Sequence, residues 1–332
     1  GIRDRLVLSG AGIPSRSLMP SWLYPRYADG CGPRPVADRD ELTIFACTIR
    51  QGEEILNVTE AEPDTAQDHR MPLPFWTVLV RIASMIGVLA GALLLALALT
   101  NSSDPTAHGA LWTRILGGLA ITALVIVVIM ALVSWSGRRS LSVAGSTTVA
   151  GDLRAFGLGI AAWSVPAAAT FLVLALLGSP LQITAPAADF WLVLVLLFFA
   201  VLLSEAIPEE LAFRGYVSSV LAERLSSWWV IGVQTALFVA TAVLLRGGAN
   251  PLDVSLFAAM GFVLGNVRLV AGSVWAAVGI HVAFQTASQL VFTHSVIKFD
   301  GSQALAMLAL GGVPFTVAAI LCSVPGVWKT HN

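Results

Sequence analysis

The sequence has few charged residues and few cysteines for a chain of its length. Charged residues make up 12% of the 332 positions, whereas soluble domains contain about one-quarter. The three cysteines, Cys31, Cys47 and Cys322, form neither a C-x-x-C pair nor an even set. This argues against both a disulfide scaffold and a zinc cluster. A net charge of −1 without any basic block argues against a nucleic-acid partner.

Hydrophobic residues, by contrast, make up 56% of the chain, and the mean hydropathy is +0.80. Of the 39 charged residues, 19 lie in the first 73 positions and 20 in the remaining 259. We therefore predict a polar, disordered cytoplasmic segment at residues 1–73 and a transmembrane helical domain at residues 74–332.

Eight apolar stretches approach the length needed to cross a bilayer, about 20 mostly apolar residues. They predict an all-α, polytopic membrane bundle of about eight transmembrane helices. The predicted spans are Phe75–Leu99, Ile115–Val133, Phe156–Leu177, Phe190–Ile207, Trp229–Leu245, Val254–Val270, Val274–Phe292 and Ala304–Cys322. The fourth is expected to continue as a helix to about Leu221. In the sixth, Gly261 and Gly265 of "GFVLG" permit close helix packing.

Lys and Arg residues between the spans predict the orientation, because they are enriched on the cytoplasmic side. With the N-terminus inside, seven lie on the cytoplasmic side and three on the other. Both termini are therefore expected in the cytoplasm. The seven are Arg70, Arg138, Arg139, Arg154, Arg224, Arg268 and Lys329, and the three are Arg114, Arg246 and Lys298.

The stretch "SEAIPEELAFRG" places three glutamates and one arginine in the fourth predicted helix. An ionisable residue at bilayer depth costs at least about 2.5 kcal/mol, so a partner, a water-filled cavity or a function is expected. Glu210 and Arg214 are four residues apart and can neutralise each other. Glu209 points about 100° away from Glu210 and has no local cationic partner, which suits a general base. Counted from Phe190, it lies roughly 28 Å along the helix, near the cytoplasmic edge of the hydrocarbon.

Two neighbours modify this picture. Glu205, one turn before Glu209, adds a second acid on its face, and Pro208 is expected to kink the helix. The alternative is that the three glutamates and Arg214 form only an ion-pair network that holds helices together.

A second polar stripe lies on the seventh predicted span. Its members, at positions i, i+4, i+7 and i+8 of one helix face, are His281, Gln285, Ser288 and Gln289. An imidazole and an amide are donor types that stabilise an oxyanion. In the fifth span, Gln234 and Thr241 also share a face, although a threonine in a membrane helix usually bonds its own backbone.

The motifs "EELAFRG" and "GFVLGNVRLVAGSVWAAVGIHVAFQ" resemble the CAAX-protease and bacteriocin-processing family of intramembrane proteases (CPBP or Abi family, Ras-converting-enzyme-like). The family pattern is E-E-x-x-x-R, then F-x-x-x-H, then H-x-x-x-N preceded by a Gly–Ser–x–Trp turn. The likeness covers about residues 140–322. It implies an eight-helix bundle, with the site in a cavity open to the cytoplasmic side, and we expect a bacterial plasma membrane. By match, Glu209 activates water, Glu210 and Arg214 form a structural pair, and His281 and Gln285 are oxyanion donors.

The sequence departs from the family pattern at two positions. Ala242 stands where the second motif has His, and Gln285 replaces the commoner Asn. Loss of a catalytic His can cost about 10²–10⁴-fold in rate, and Thr241 or Glu205 are the candidates to compensate by hydrogen-bonding a water. No cofactor is firmly implied. A metal is not expected either, because His281 and carboxylates alone do not readily assemble a three-ligand zinc site.

Three functions remain open from the sequence. The first is an intramembrane endopeptidase that acts on a membrane-associated or C-terminal peptide. The alternative is a non-catalytic relative that binds a peptide, lipid or partner helix in the same cavity. The third, a transporter with Glu205 and Glu209 as a proton relay, requires internal repeats with broken helices, which the sequence does not display. The expected partners are membrane lipid and a peptide or membrane-protein substrate.

Overall fold

The computed structural model describes residues 74–100, 108–135, 148–248, 250–294, 296–324 and 326–328. Within these ranges, eight helices are long and apolar enough to cross a membrane, and the strands form a single two-stranded sheet. This confirms the predicted all-α membrane bundle. The segment predicted as disordered, residues 1–73, lies outside the described residues.

The helices follow the predicted spans and begin earlier in several cases. They are α1 (Phe75–Thr100), α2 (His108–Trp135), α3 (Val149–Leu176), α4 (Ala187–Ala222), α5 (Ser227–Leu245), α6 (Pro251–Ala271), α7 (Val274–Phe292) and α8 (Gln303–Cys322). Helices α2 and α3 begin at His108 and Val149, well before the predicted Ile115 and Phe156. Arg114 and Arg154 in fact lie inside the helices.

Helix α7 is the central helix of the bundle. In an apolar 18-residue stretch of α7, 67% is buried inside the protein, against 28–39% in the corresponding stretches of the other seven helices. Close approach to α3 requires two glycines: a Cβ on Gly159 would collide with the carbonyl oxygen of Ala276, and a Cβ on Gly279 with that of Phe156. The polar stripe of α7 therefore lies inside the protein rather than against lipid.

The α6–α7 connection is the Gly–Ser–x–Trp turn. Gly272 ends α6 with a φ of 69°, a left-handed conformation that glycine adopts without steric cost. Ser273 caps α7 by accepting a hydrogen bond from the backbone nitrogen of Trp275 (3.2 Å), and its hydroxyl donates to Asp152 of α3 (3.1 Å). This turn sets the start of the central helix.

Helix α4 is irregular where its charged residues lie. Two π-helical segments, Leu202–Ala206 and Leu211–Val217, flank Pro208. Proline has no N–H to donate within a helix, and short π-helical segments are frequent at functional sites. The irregularity thus coincides with the glutamates.

One face of the bundle carries a small sheet. Strand β1 (Leu181–Ile183) pairs antiparallel with β2 (Ile297–Phe299), with Leu181 opposite Phe299. The pair joins the α3–α4 and α7–α8 connections. Since successive spans cross the membrane in opposite directions, the ends of α1 and α5 and the starts of α2 and α6 lie on this same face. The start of α1 lies on the other.

Candidate active site

Arg214 and Glu210 form a fully buried ion pair on α4. Arg214 Nη1 donates to Glu210 Oε1 over 3.0 Å, and both side chains are 0% exposed. Nη2 donates to the carbonyl of Gly261 in α6 (3.3 Å), and the guanidinium carbon lies 4.5 Å from the ring centroid of Phe238 in α5. Arg214 therefore ties three helices together, which fits a structural role.

His281 of α7 is fixed on the same carboxylate. Its Nδ1 lies 2.8 Å from Glu210 Oε1, and Glu210 is held beside the Arg214 cation. A carboxylate in such a pair only accepts hydrogen bonds, so Nδ1 carries the hydrogen and donates it. Nε2 is then left to face the site, as an acceptor in the neutral ring and as a donor in the imidazolium.

Glu209 lies beside that free nitrogen. Its Oε2 is 4.0 Å from His281 Nε2, which is too long for a direct hydrogen bond. The Glu209 side chain is 17% exposed, and among the described residues it has no arginine or lysine partner. Of the three glutamates, only this one lacks an arginine.

The predicted depth of Glu209 stays a prediction, because helix lengths alone do not place the bilayer. His281, beside which it lies, is in the middle third of α7 and not near either end. Helix α4 has 36 residues, many more than the roughly 20 that cross a bilayer. A residue count from Phe190 therefore does not measure depth.

Glu205 is paired, which the sequence did not predict. Arg114 of α2 donates to it through Nη2, to Gln289 of α7 through Nη1 (2.7 Å) and to the Ser204 hydroxyl through Nε (3.2 Å). The sequence predicts Arg114 just before the second span, whereas the structure places it inside α2. One feature of the sequence could have revealed this pair. Glu205 has no cationic partner on its own helix, so an arginine from another span was to be expected, and Arg114 directly precedes the predicted second span.

A cavity of about 1310 Å³ opens next to these groups. Its lining includes Glu205 together with Gln285, Ser288 and Gln289 of the predicted α7 stripe. Gln285 makes no side-chain hydrogen bond within the part of the chain that the structure describes, so its amide is open to a ligand. Glu209 and His281 lie one helical turn beyond Glu205 and Gln285.

The lining of the cavity lies toward one end of the bundle. Its lining residues include Arg246 of the α5–α6 connection, Asp253 in the first turn of α6 and Lys298 of β2. These belong to the face opposite the start of α1. Which of the two faces is cytoplasmic, and on which face the site opens, stay predictions from the arginine distribution and from the family resemblance.

The fifth helix supplies little to the site. Thr241 is buried and its hydroxyl donates to the carbonyl of Leu237 (2.9 Å), so its hydrogen is used by its own helix. Gln234 donates to the Gly261 carbonyl over 2.9 Å, which it shares with Arg214. Ala242, the position of the family's second-motif His, is half-buried and packs against the core.

No group of three or more His, Cys, Asp and Glu side chains in the described ranges is arranged to hold a metal ion. The expectation that the site binds no metal stays a prediction from residue types. What the site does contain is one half-buried carboxylate beside a fixed imidazole, next to an open amide.

The fold and this site define a polytopic helical membrane protein with an intramembrane Glu–His centre supported by a buried Glu–Arg pair. Residues 190–287 match the model of the Rce1-like family, described as type II CAAX prenyl endopeptidase Rce1-like. The match confirms the family resemblance and covers both glutamate and histidine motifs. No curated protein and no solved structure matches the chain.

Proposed function

We propose that the protein is an intramembrane endopeptidase that hydrolyses a peptide bond of a membrane-associated or C-terminal peptide, with Glu209 as the base. The observation that carries the proposal is the 4.0 Å separation of Glu209 Oε2 from His281 Nε2. This spacing suits a water held between the two groups. The family match over residues 190–287 supports the same chemistry.

In the proposed reaction, Glu209 takes a proton from water as the oxygen attacks the carbonyl carbon of the substrate. The carbonyl oxygen becomes an oxyanion, which accepts hydrogen bonds from the Gln285 amide and from protonated His281. Glu209 then returns the proton to the amide nitrogen as the C–N bond breaks. A carboxylic acid and an amine leave, with one water consumed.

A second candidate function is peptide or lipid binding in the same cavity without cleavage. The observation that favours it is Ala242, which leaves α5 without the imidazole of the family pattern. The Thr241 hydroxyl already donates its hydrogen to the Leu237 carbonyl, so it does not supply a second donor in place of the imidazole. Under this proposal the Glu–His pair would help to bind the peptide backbone rather than hydrolyse it.

The test compares purified wild type with Glu209→Gln, both reconstituted in lipid, on a panel of lipid-modified and unmodified membrane peptides. Mass spectrometry of the products gives the cleaved bond. Cleavage by wild type and its loss in Glu209→Gln, with unchanged thermal unfolding, is the expected result. Equal behaviour of the two proteins on every peptide, together with saturable peptide binding, supports the non-catalytic alternative instead.

A further inference from the structure

Three acids lie within six residues of α4, and two of them have arginine partners. Glu210 is paired with Arg214 of the same helix. Glu205 is paired with Arg114, which reaches it from α2. Glu209 lies between them and has neither arginine. Arg114 also lies outside the segment that matches the family, residues 190–287.

Arg114 is held in place by more than the carboxylate. Its three nitrogens contact Ser204, Glu205 and Gln289, and Gln289 in turn donates weakly to Glu205 (3.4 Å). Helix α2 comes close enough for this because position 118 is glycine, next to the backbone of Ser204. The Thr122 hydroxyl also donates to the Leu203 carbonyl (2.7 Å).

We propose that Arg114 is a positioning residue for Glu209: by binding Glu205 it cancels the neighbouring negative charge and leaves Glu209 as the one carboxylate free to exchange a proton. This inference rests on the proposed function in naming Glu209 as the base. Arg114 itself acts through Glu205 and need not touch the substrate.

Several charged and titratable groups surround Glu209, and the test must distinguish the effect of Arg114 from the effects of the others. On α4 they are Glu205, Glu210 and Arg214, and on α7 the group is His281. Arg114 of α2 adds the second cation, through Glu205. Without Arg114, two uncompensated carboxylates would lie one helical turn apart, about 5–6 Å between Cβ atoms. The charge on Glu205 would then disfavour a second negative charge on Glu209.

The experiment measures the protonation of Glu209 directly, without any need for cleavage. Dicyclohexylcarbodiimide modifies protonated carboxyl groups in apolar surroundings, and tandem mass spectrometry locates the modified glutamate. The extent of modification at Glu209 is recorded against pH for wild type, Arg114→Gln, Glu205→Gln and the double variant. Arg224→Gln, which removes an exposed arginine near the end of α4, controls for the change in net charge.

The midpoint is the pH at which modification of Glu209 is half of its maximum. Arg114→Gln is expected to move this midpoint to higher pH by about one unit or more. Glu205→Gln, which leaves Arg114 in place, moves it to lower pH. The double variant returns it to within about half a unit of wild type, as expected when the two charges cancel. Arg224→Gln leaves it unchanged. A purely structural role for Arg114 predicts no such reversal by the second substitution.

An unshifted midpoint in folded Arg114→Gln, or a double variant that fails to restore it, overturns the proposal. If Arg114→Gln does not fold, Glu205→Gln alone decides, since an unshifted midpoint there is equally contradictory. Where wild type cleaves a peptide, the acid limb of the rate profile must move with the same midpoints. Absence of cleavage with the midpoints shifted as expected refutes the proposed function and leaves the charge-cancelling role of Arg114 intact.

Discussion

His281 Nδ1 lies 2.8 Å from Glu210 Oε1, so a carboxylate on α4 fixes the ring of the central helix. Glu210 Oε1 also accepts from Arg214. The orientation of the imidazole toward Glu209 therefore depends on a pair of residues that need not touch the substrate. Because Arg214 also contacts Gly261 of α6 and Phe238 of α5, helices α4, α5 and α6 all contribute to holding this ring.

His281→Asn removes the group that faces Glu209 while keeping a polar side chain. We expect cleavage to fall by about 10²–10⁴-fold, the usual contribution of a positioned acid–base group. We expect a stability loss of about 1.5–3 kcal/mol from the bond to the charged carboxylate. Cleavage rates and thermal unfolding measure the two effects. His108→Asn, at the exposed start of α2, is the matched control and should change neither.

Arg214→Ala leaves Glu210 buried without its cation. Removing one partner of a buried ion pair costs about 3–5 kcal/mol, and the contact with the Gly261 carbonyl is also lost. A lower midpoint in thermal unfolding, followed by loss of His281 orientation and of activity, is the expected outcome. Arg224→Ala, at an exposed position, should unfold like wild type. Equal melting of both variants would contradict the structural assignment of Arg214.

The sequence predicted those parts of the site that lie on single helices. The Glu210–Arg214 pair follows from a four-residue spacing, and the α7 stripe follows from the period of the helix. Eight spans were recognisable because a transmembrane helix must be long and apolar.

The partner of Glu205 was not predictable in the same way. Arg114 is on another helix, and no spacing rule relates positions 114 and 205. The contact depends on Gly118, whose importance is visible only once α2 and α4 are packed together. For the same reason the cavity beside Glu205, which residues from several helices line, could not be derived from residue types alone.

Ala242→His restores the missing element of the family pattern. If α5 presents this position to the site, as the resemblance implies, the imidazole should raise the cleavage rate by about tenfold or more. Ala242→Phe adds comparable bulk without a titratable group and should not raise it. The rates of both variants are compared with wild type on the same peptide. A histidine variant that is folded, binds peptide and gains no rate would show that position 242 does not contribute in this protein.

Gly118→Ala tests the packing that brings Arg114 to Glu205. A Cβ at position 118 would lie 2.7 Å from the backbone nitrogen of Ser204 and 2.8 Å from the carbonyl carbon of Leu203. Backbone atoms cannot rotate away, so α2 and the π-helical segment Leu202–Ala206 must separate, at a cost of about 1–3 kcal/mol.

The neighbouring glycine supplies the control for this prediction. A Cβ at Gly117 meets nothing within 4 Å, and alanine is intrinsically better than glycine inside a helix by about 1 kcal/mol. Gly117→Ala should therefore unfold at the same or a higher temperature than wild type, while Gly118→Ala unfolds at a lower one. Gly118→Ala should also shift the protonation midpoint of Glu209 in the same direction as Arg114→Gln, because the ion pair is weakened. Equal behaviour of the two alanine variants would mean that close contact between α2 and α4 is not what holds Arg114 at Glu205.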